Sequence, residues 1–214
     1  MSGNKVEAVF WDFGGVFTSS PFVAMVSYAE KIGVEPQLVS DALFGPMYDT
    51  PDHPWHQLER GEAALSVATD HAKAELAKHG VEFSLGEMFS TMSKMADGSR
   101  PLVRQRAEAL RAAGMKQGII TNNLAEFRDM WRSTMPIDEI FDDVVDSHEV
   151  GLRKPDPAIY RLAADRLGVA LERSVFLDDL AANVDAAAAL GMQAILVDPD
   201  PAEALEKLAD LTDM

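Results

Sequence analysis

The chain has 214 residues, 47% of them hydrophobic, enough for one domain or one domain with a sizeable insertion, and too apolar for global disorder. A formal charge of −16 disfavours nucleic acid and anionic membrane surfaces as partners, and no apolar run is long enough to span a bilayer. The absence of cysteine excludes disulfides and thiolate metal sites; with no apolar signal core after Met1-Ser2-Gly3-Asn4-Lys5, the expected setting is the cytoplasm.

Val6, Ala8, Val9, Phe10 and Trp11 form an apolar run without polar alternation, as in a strand covered on both faces. Asp12 closes the run, with Gly14 and Gly15 directly after Phe13. The carboxyl end of such a strand is where open α/β sheets bind ligands, although an isolated Asp-X-Gly-Gly reads more readily as a turn. Helical spacing then takes over. Phe22, Val26, Ala29 and Ile32 share a face between Pro21, suited to a first turn, and Gly33, suited to a stop. A short helix is expected over residues 35–43 and a loop over 45–56, which holds three prolines and two of the five histidines. An Ala-rich helix follows over 62–79, ended by Gly80. Ser84-Leu85-Gly86-Glu87 is a capping box, opening a helix with Met88, Met92 and Met95 on one core-filling face. Roughly residues 18–97 are therefore helical with no strand among them, the pattern of an insertion.

From residue 99 strands and helices alternate. Helices are expected over 99–113, with Pro101 in the first turn and Gly114 at the end, and over 124–134, 157–167, 180–190 and 201–209. Strands are expected over 116–121, 143–146, 174–177 and 194–197. This rhythm predicts an α/β fold with a doubly wound parallel sheet. Residues 1–17 and 98–214 would form the α/β core and residues 18–97 an inserted all-helical domain.

Four polar clusters fall just after four of these strands: Asp12; Thr121-Asn122-Asn123; Lys154, in Gly151-Leu152-Arg153-Lys154-Pro155-Asp156-Pro157; and Asp178-Asp179 with Asn183. Taken singly, Thr121, Asn123 or Asp179 reads as a helix cap and Lys154 as a solvated loop charge. Parallel strands place all their carboxyl ends on one edge, however, so the clusters converge. Carboxylates brought together repel unless a cation sits among them, and hard oxygen ligands in this number suit Mg²⁺. His53-Pro54-Trp55-His56 lacks a third ligand at zinc spacing and is expected to be surface or pocket lining.

In these four clusters the chain resembles the haloacid dehalogenase superfamily, in the branch with a helical cap after the first strand, and within it the N-terminal phosphatase domain of soluble epoxide hydrolases. Val-Phe-Trp-Asp12, Ile-Ile-Thr121-Asn122, Lys154-Pro155-Asp156-Pro157 and Val-Phe-Leu-Asp178-Asp179 with Asn183 match its four motifs in order. Trp55-His56-Gln57-Leu58-Glu59-Arg60-Gly61-Glu62 also resembles a cap segment of that branch. The resemblance implies a phosphatase of small phosphomonoesters with Asp12 as nucleophile, forming an aspartyl-phosphate. It implies Thr121 and the Asn122 backbone N–H on the phosphoryl oxygens, Lys154 as the neutralising cation, and Asn183, counted with Asn122 among the substrate-binding residues, orienting the loop or the groups around the metal. Mg²⁺ would be held by Asp12, Asp179, Asp178 directly or through water, and the Gly14 carbonyl. One departure stands out: the family's phosphatases carry a second Asp, the general acid and base, where this chain has Gly14. Two other readings share the fold. A 2-haloacid dehalogenase also lacks that Asp but needs no metal and keeps no acidic pair at the fourth motif. A non-catalytic binding protein would have no use for an intact nucleophile, lysine and acidic pair. Substrate choice in such enzymes comes from the cap, with residues 17–22 and 44–56, including Phe44 and Trp55, as candidates to face the site.

Overall fold

The computed structural model describes residues 5–45, 52–95 and 100–214, with the backbone alone at 92–95. Five strands form one parallel sheet: β1 (Ala8–Trp11), β2 (Lys116–Thr121), β3 (Asp143–Asp146), β4 (Ser174–Asp178) and β5 (Gln193–Leu196), in the order β3-β2-β1-β4-β5. Ala8 is in register with Lys116 on one side and Ser174 on the other, so β1 and Asp12 occupy the middle of the sheet.

Every residue of β1 is buried, which is why it carries no polar alternation. Its odd positions, Val9 and Trp11, join Ile119, Val175, Leu177 and Ile195 on one face. There they meet Val103, Ala107 and Leu110 of α6 (Pro101–Ala112) and Leu205 and Leu208 of α12 (Ala202–Thr212). The even positions, Ala8 and Phe10, join Ile120, Val145 and Phe176 on the other face. Their cover is Ile159, Tyr160 and Ala163 of α10 (Pro157–Leu167) and Ala187 of α11 (Ala181–Ala189). On the face covered by α6, the buried Gln117 of β2 accepts from Trp11 Nε1 at 3.1 Å and donates to the Ala107 carbonyl at 2.8 Å, so its burial leaves neither end unsatisfied.

Between β1 and α6 lie α1 (Pro21–Ile32), α2 (Pro36–Phe44), α3 (Pro54–Glu59), α4 (Leu65–Ala77) and α5 (Leu85–Met95). They enclose an apolar cluster of their own, built around Met25, Tyr28, Leu43, Trp55, Leu76 and Phe83. Ser84 Oγ accepts from the Glu87 backbone N–H at 3.3 Å, as the capping box requires, while the side chains of Met92 and Met95 and the loop residues 46–51 lie outside what the structure describes. Chain entry and exit are joined where the Arg100 N–H donates to the Phe17 carbonyl at 3.0 Å.

Several boundaries differ from the sequence reading. The expected loop over 45–56 ends in α3, whose first turn holds Pro54 and whose cap is His53, with Nδ1 accepting from the Trp55 N–H at 3.2 Å. Histidine is not a usual cap residue, so the helix start carried no familiar signal. The Ala-rich helix begins at Leu65, because Gly61 takes a φ of 71° and Glu62 N–H donates back to the Gln57 carbonyl at 2.8 Å, making a turn of those residues. The expected helix over 124–134 is a 3₁₀ turn, Ala125–Phe127, followed by α7 (Arg128–Arg132). Two more short helices, α8 (Ile137–Ile140) and α9 (Ser147–Val150), were not anticipated.

Candidate active site

The ends of β1, β2 and β4 and the loop after α9 bring the expected residues together. Lys154 is 1% exposed, and its Nζ donates to Asp12 Oδ1 at 2.7 Å and to Asp178 Oδ2 at 2.6 Å. Its back is covered by the Phe176 ring, 5.4 Å from Nζ to the centroid. Lys154 is thus a fixed internal cation and not the solvated loop charge that an isolated lysine suggests. Asn122, at the end of β2, holds the lysine's backbone from both sides: its Nδ2 donates to the Lys154 carbonyl at 2.9 Å and its Oδ1 accepts from the Lys154 N–H at 2.8 Å. The Lys154–Pro155 peptide is cis. Thr121 is buried beside these groups as the last residue of β2.

Asp178 is fully buried and surrounded by donors. Its Oδ1 accepts from the Leu180 N–H at 2.8 Å, and Asn183 Nδ2 reaches both carboxylate oxygens, at 3.1 and 3.0 Å. The side-chain amides of Asn122 and Asn183 thus bind protein groups, which leaves the Asn122 backbone N–H, the group expected on the phosphoryl oxygens, outside these bonds. Asn183 Oδ1 is buried with no hydrogen-bond partner among the described residues.

Asp12, Asp178 and Asp179 each offer a carboxylate oxygen within 4.8 Å of the others, the one such acidic group among the described residues. Gly15 makes this approach feasible: it takes a φ of 81°, and a Cβ there would fall 2.0 Å from Asp179 Oδ2. Three carboxylates thus face one ammonium, an excess negative charge suited to a divalent cation. The energetics agree. Burial pushes Asp12 up to about 8, with Lys154 opposing and Asp178 and Asp179 reinforcing the shift. Asp179 is likewise raised by burial, against a hydrogen bond from the Ser20 hydroxyl, with Asp178 adding to the rise. Burial alone would lower Lys154, but Asp12 and Asp178 overcome it and hold the ammonium above its ordinary value. Protein groups alone leave this centre undercompensated. The donor set, three hard carboxylates of which Asp12 and Asp178 are buried and Asp179 half-buried, fits Mg²⁺.

Some residues around the site had no signal in the sequence. Ser20 reads as a cap for α1, and it does accept from the Phe22 N–H at 3.4 Å, but its hydroxyl also serves Asp179. Arg100 feels Asp179 electrostatically. Asn123 is held by Ser147, whose Oγ accepts from the Asn123 N–H at 3.0 Å. The histidines of the 53–56 segment gain a third ring, His71, 4.9 Å from His53, yet they form no metal-ligand group among the described residues. Trp55 is 8% exposed within the helical apolar cluster, and Phe44 packs on it at 5.0 Å between centroids. Trp55 is therefore built into the packing of the helices, and a substitution there acts first on that packing.

Comparison with known proteins gives consistent results. Residues 6–191 match the model for haloacid dehalogenase-like hydrolases. The chain is 31% identical over 218 residues to acyl-CoA dehydrogenase family member 10 of Mus musculus, covering 98% of this chain and 19% of that protein. It is 31% identical over 215 residues to bifunctional epoxide hydrolase 2 of Rattus norvegicus, covering 94% of this chain and 38% of the relative. The chain thus spans well under half the length of these relatives. Among solved structures, a haloacid dehalogenase family enzyme of Bacteroides thetaiotaomicron in complex with magnesium and inorganic phosphate superimposes with a TM-score of 0.60 at 15% identity, over 91% of this chain and 96% of that one. An L-2-haloacid dehalogenase superimposes with a TM-score of 0.70 at 17% identity, over 98% of this chain and all of that one (100%). At these identities the structural likeness establishes the fold.

Proposed function

The chain belongs to the haloacid dehalogenase-like hydrolases, and from that membership we propose that it is a Mg²⁺-dependent phosphatase of small phosphomonoesters, working through an aspartyl-phosphate on Asp12. The observation that carries this reading is the convergence of Asp12, Asp178 and Asp179 on one another and on Lys154. A dehalogenase needs the first Asp and a cation, but it has no need of an acidic cluster that only a metal would neutralise.

Asp12 attacks phosphorus through a carboxylate oxygen. The bond from phosphorus to the leaving oxygen breaks as the Asp12–phosphorus bond forms, and water then hydrolyses the acyl phosphate to inorganic phosphate and free Asp12. Lys154, 2.7 Å from Asp12, neutralises charge on the nucleophile and the phosphoryl group. Thr121 and the Asn122 backbone N–H hold phosphoryl oxygens. Asn122 fixes Lys154 through its side chain, and Asn183 with Leu180 fixes Asp178. Asp12, Asp179 and the Gly14 carbonyl would hold Mg²⁺, with Asp178 beside them keeping Lys154 and Asn183 in place. Bound there, the ion would supply charge neutralisation and orientation of the phosphoryl oxygens. Residues 1–17 and 98–214 serve as the catalytic core and 18–97 as a cap that excludes water and selects the substrate.

The test is phosphate release from a panel of phosphomonoesters with Mg²⁺ and with EDTA, for the native protein and Asp12→Asn. Turnover is expected to require Mg²⁺ and to fall by about 10³-fold or more in Asp12→Asn, a neutral amide of nearly the same shape. Activity that survives in the variant or in EDTA refutes the mechanism, and metal-free halide release from a 2-haloacid assigns the dehalogenase chemistry instead.

A further inference from the structure

The segment Trp55–Glu62, singled out in the sequence, has no part in the chemistry so far, yet it ends against the residue next to Lys154. Arg153 Nε donates to Glu59 Oε2 at 2.6 Å, with side chains only 10% and 12% exposed. The other oxygen of Glu59 accepts from Trp55 Nε1 at 3.0 Å. Trp55 in turn is embedded in the apolar cluster of the helical module. The contact is reinforced by Gly61, where a Cβ would lie 2.7 Å from the His148 carbonyl, so that turn rests directly on the core backbone of α9. A continuous chain of contacts therefore runs from the module's interior through Trp55, Glu59 and Arg153 to the backbone of Lys154, and through its Nζ to Asp12.

We propose that Glu59 and Arg153 are a positioning pair for the reaction: the ion pair between the helical module and the core sets the position of Lys154 relative to Asp12. This rests on the phosphatase reading above. Exposed cross-domain ion pairs would be screened and weakly directional, whereas this one is largely buried and both Glu59 oxygens have a donor. Buried ion pairs add little stability compared with apolar residues of the same volume. What such a pair supplies is a fixed distance, and the residue it fixes adjoins the site's internal cation. Displacement of a reacting group by about 1 Å can reduce rates about 10²-fold.

The test compares Glu59→Gln, Arg153→Met and the double variant, which leaves no charge orphaned. Thermal unfolding, kcat and KM for an aryl phosphate, inhibition by inorganic phosphate, and hydrogen exchange of the Lys154 amide are measured for each. Both single variants are expected to lose stability, because each strands a buried charge. The double variant should regain most of that stability while its kcat stays about tenfold or more below native. Phosphate inhibition should change less than threefold, by roughly RT or under, and the Lys154 amide should exchange faster than in the native protein. Recovery of native kcat along with stability in the double variant would show a purely structural pair and overturn the proposal. If the native protein hydrolyses no phosphomonoester, the phosphatase reading falls. Exchange at Lys154 still decides the pair in that event: native protection in all three variants refutes it.

Discussion

Gly14 and Gly15 are adjacent and have opposite reasons to be glycine. At Gly15 the positive φ and the Asp179 carboxylate leave no room for a side chain. At Gly14 the φ lies outside the left-handed region, and a Cβ would meet only Pro21 Cδ, at 3.9 Å. A Cβ is therefore accommodated at position 14 without backbone strain, and the lack of a side chain there is a chemical matter. A placed general acid contributes about 10²–10⁴-fold. The native protein is expected to show a steep dependence of kcat/KM on leaving-group pKa, favouring acyl and aryl phosphates, and Gly14→Asp a shallower one with alkyl phosphates gaining most. A shallow dependence in the native protein would mean that another group already donates the proton. Asp12, Thr121 and the Asp178-Asp179 pair stood out in the sequence because they close apolar strands, whereas Lys154, in the loop after α9, was picked out by the Lys-Pro-Asp-Pro motif. Ser20 was not, since its capping role hides its contact with Asp179. Nor was the Glu59–Arg153 pair, whose partners come from separate elements with no local spacing between them.

The helix α3 shows what one short element can add. Its cap, His53, packs against His56 at 5.3 Å and His71 at 4.9 Å between ring centroids. Burial first, then His56, His71 and Arg153, against an opposing effect of Glu75, lower His53 from 6.5 to about 4. The unfolded chain therefore binds a proton here at a pH where the folded chain does not. The stability that neutral His53 contributes is complete above about pH 6.5 and is lost as pH falls from there toward 4. Thermal midpoints are expected to drop as pH falls from 6.5 to 5, and His53→Gln should flatten that slope. An unchanged slope would place the pH sensitivity elsewhere. In the sequence, α3, α8 and α9 were invisible as helices, because four to six residues carry too little periodicity and are held by their neighbours. α10, by contrast, was read to the residue, since Pro157 and Gly168 mark its two ends, and β2 and β3, no longer than α3, were read from the apolar pairs Ile119-Ile120 and Val144-Val145.

At the scale of the whole molecule, folding concentrates negative charge at one edge of the sheet. Without a divalent cation, Asp12 opposes folding as pH rises: its folded value near 8 lies above the ordinary 3.8, so its contribution is complete below about 3.8 and lost through about 8. Mg²⁺ is therefore expected to raise the thermal midpoint by about 5–10 °C at a hundredfold excess over its Kd, from about 2.7 kcal/mol of linkage. The shift should be larger at pH 8 than at pH 6, and absent in Asp179→Asn. Equal shifts in that variant would locate the cation elsewhere. The parallel sheet was legible because its strands are apolar on both faces and alternate with helices. That same sheet decides the order in which the molecule can be assembled. The central strand β1 comes from the start of the chain, but its two neighbours, β2 and β4, come from residues 116–121 and 174–178. During synthesis the apolar opening segment must wait, unpaired, while the helices between residues 21 and 95 can close on contacts near in sequence. Asp12 is the first of the site's residues to be made, and the centre is complete only when β4, with Asp178, docks beside β1.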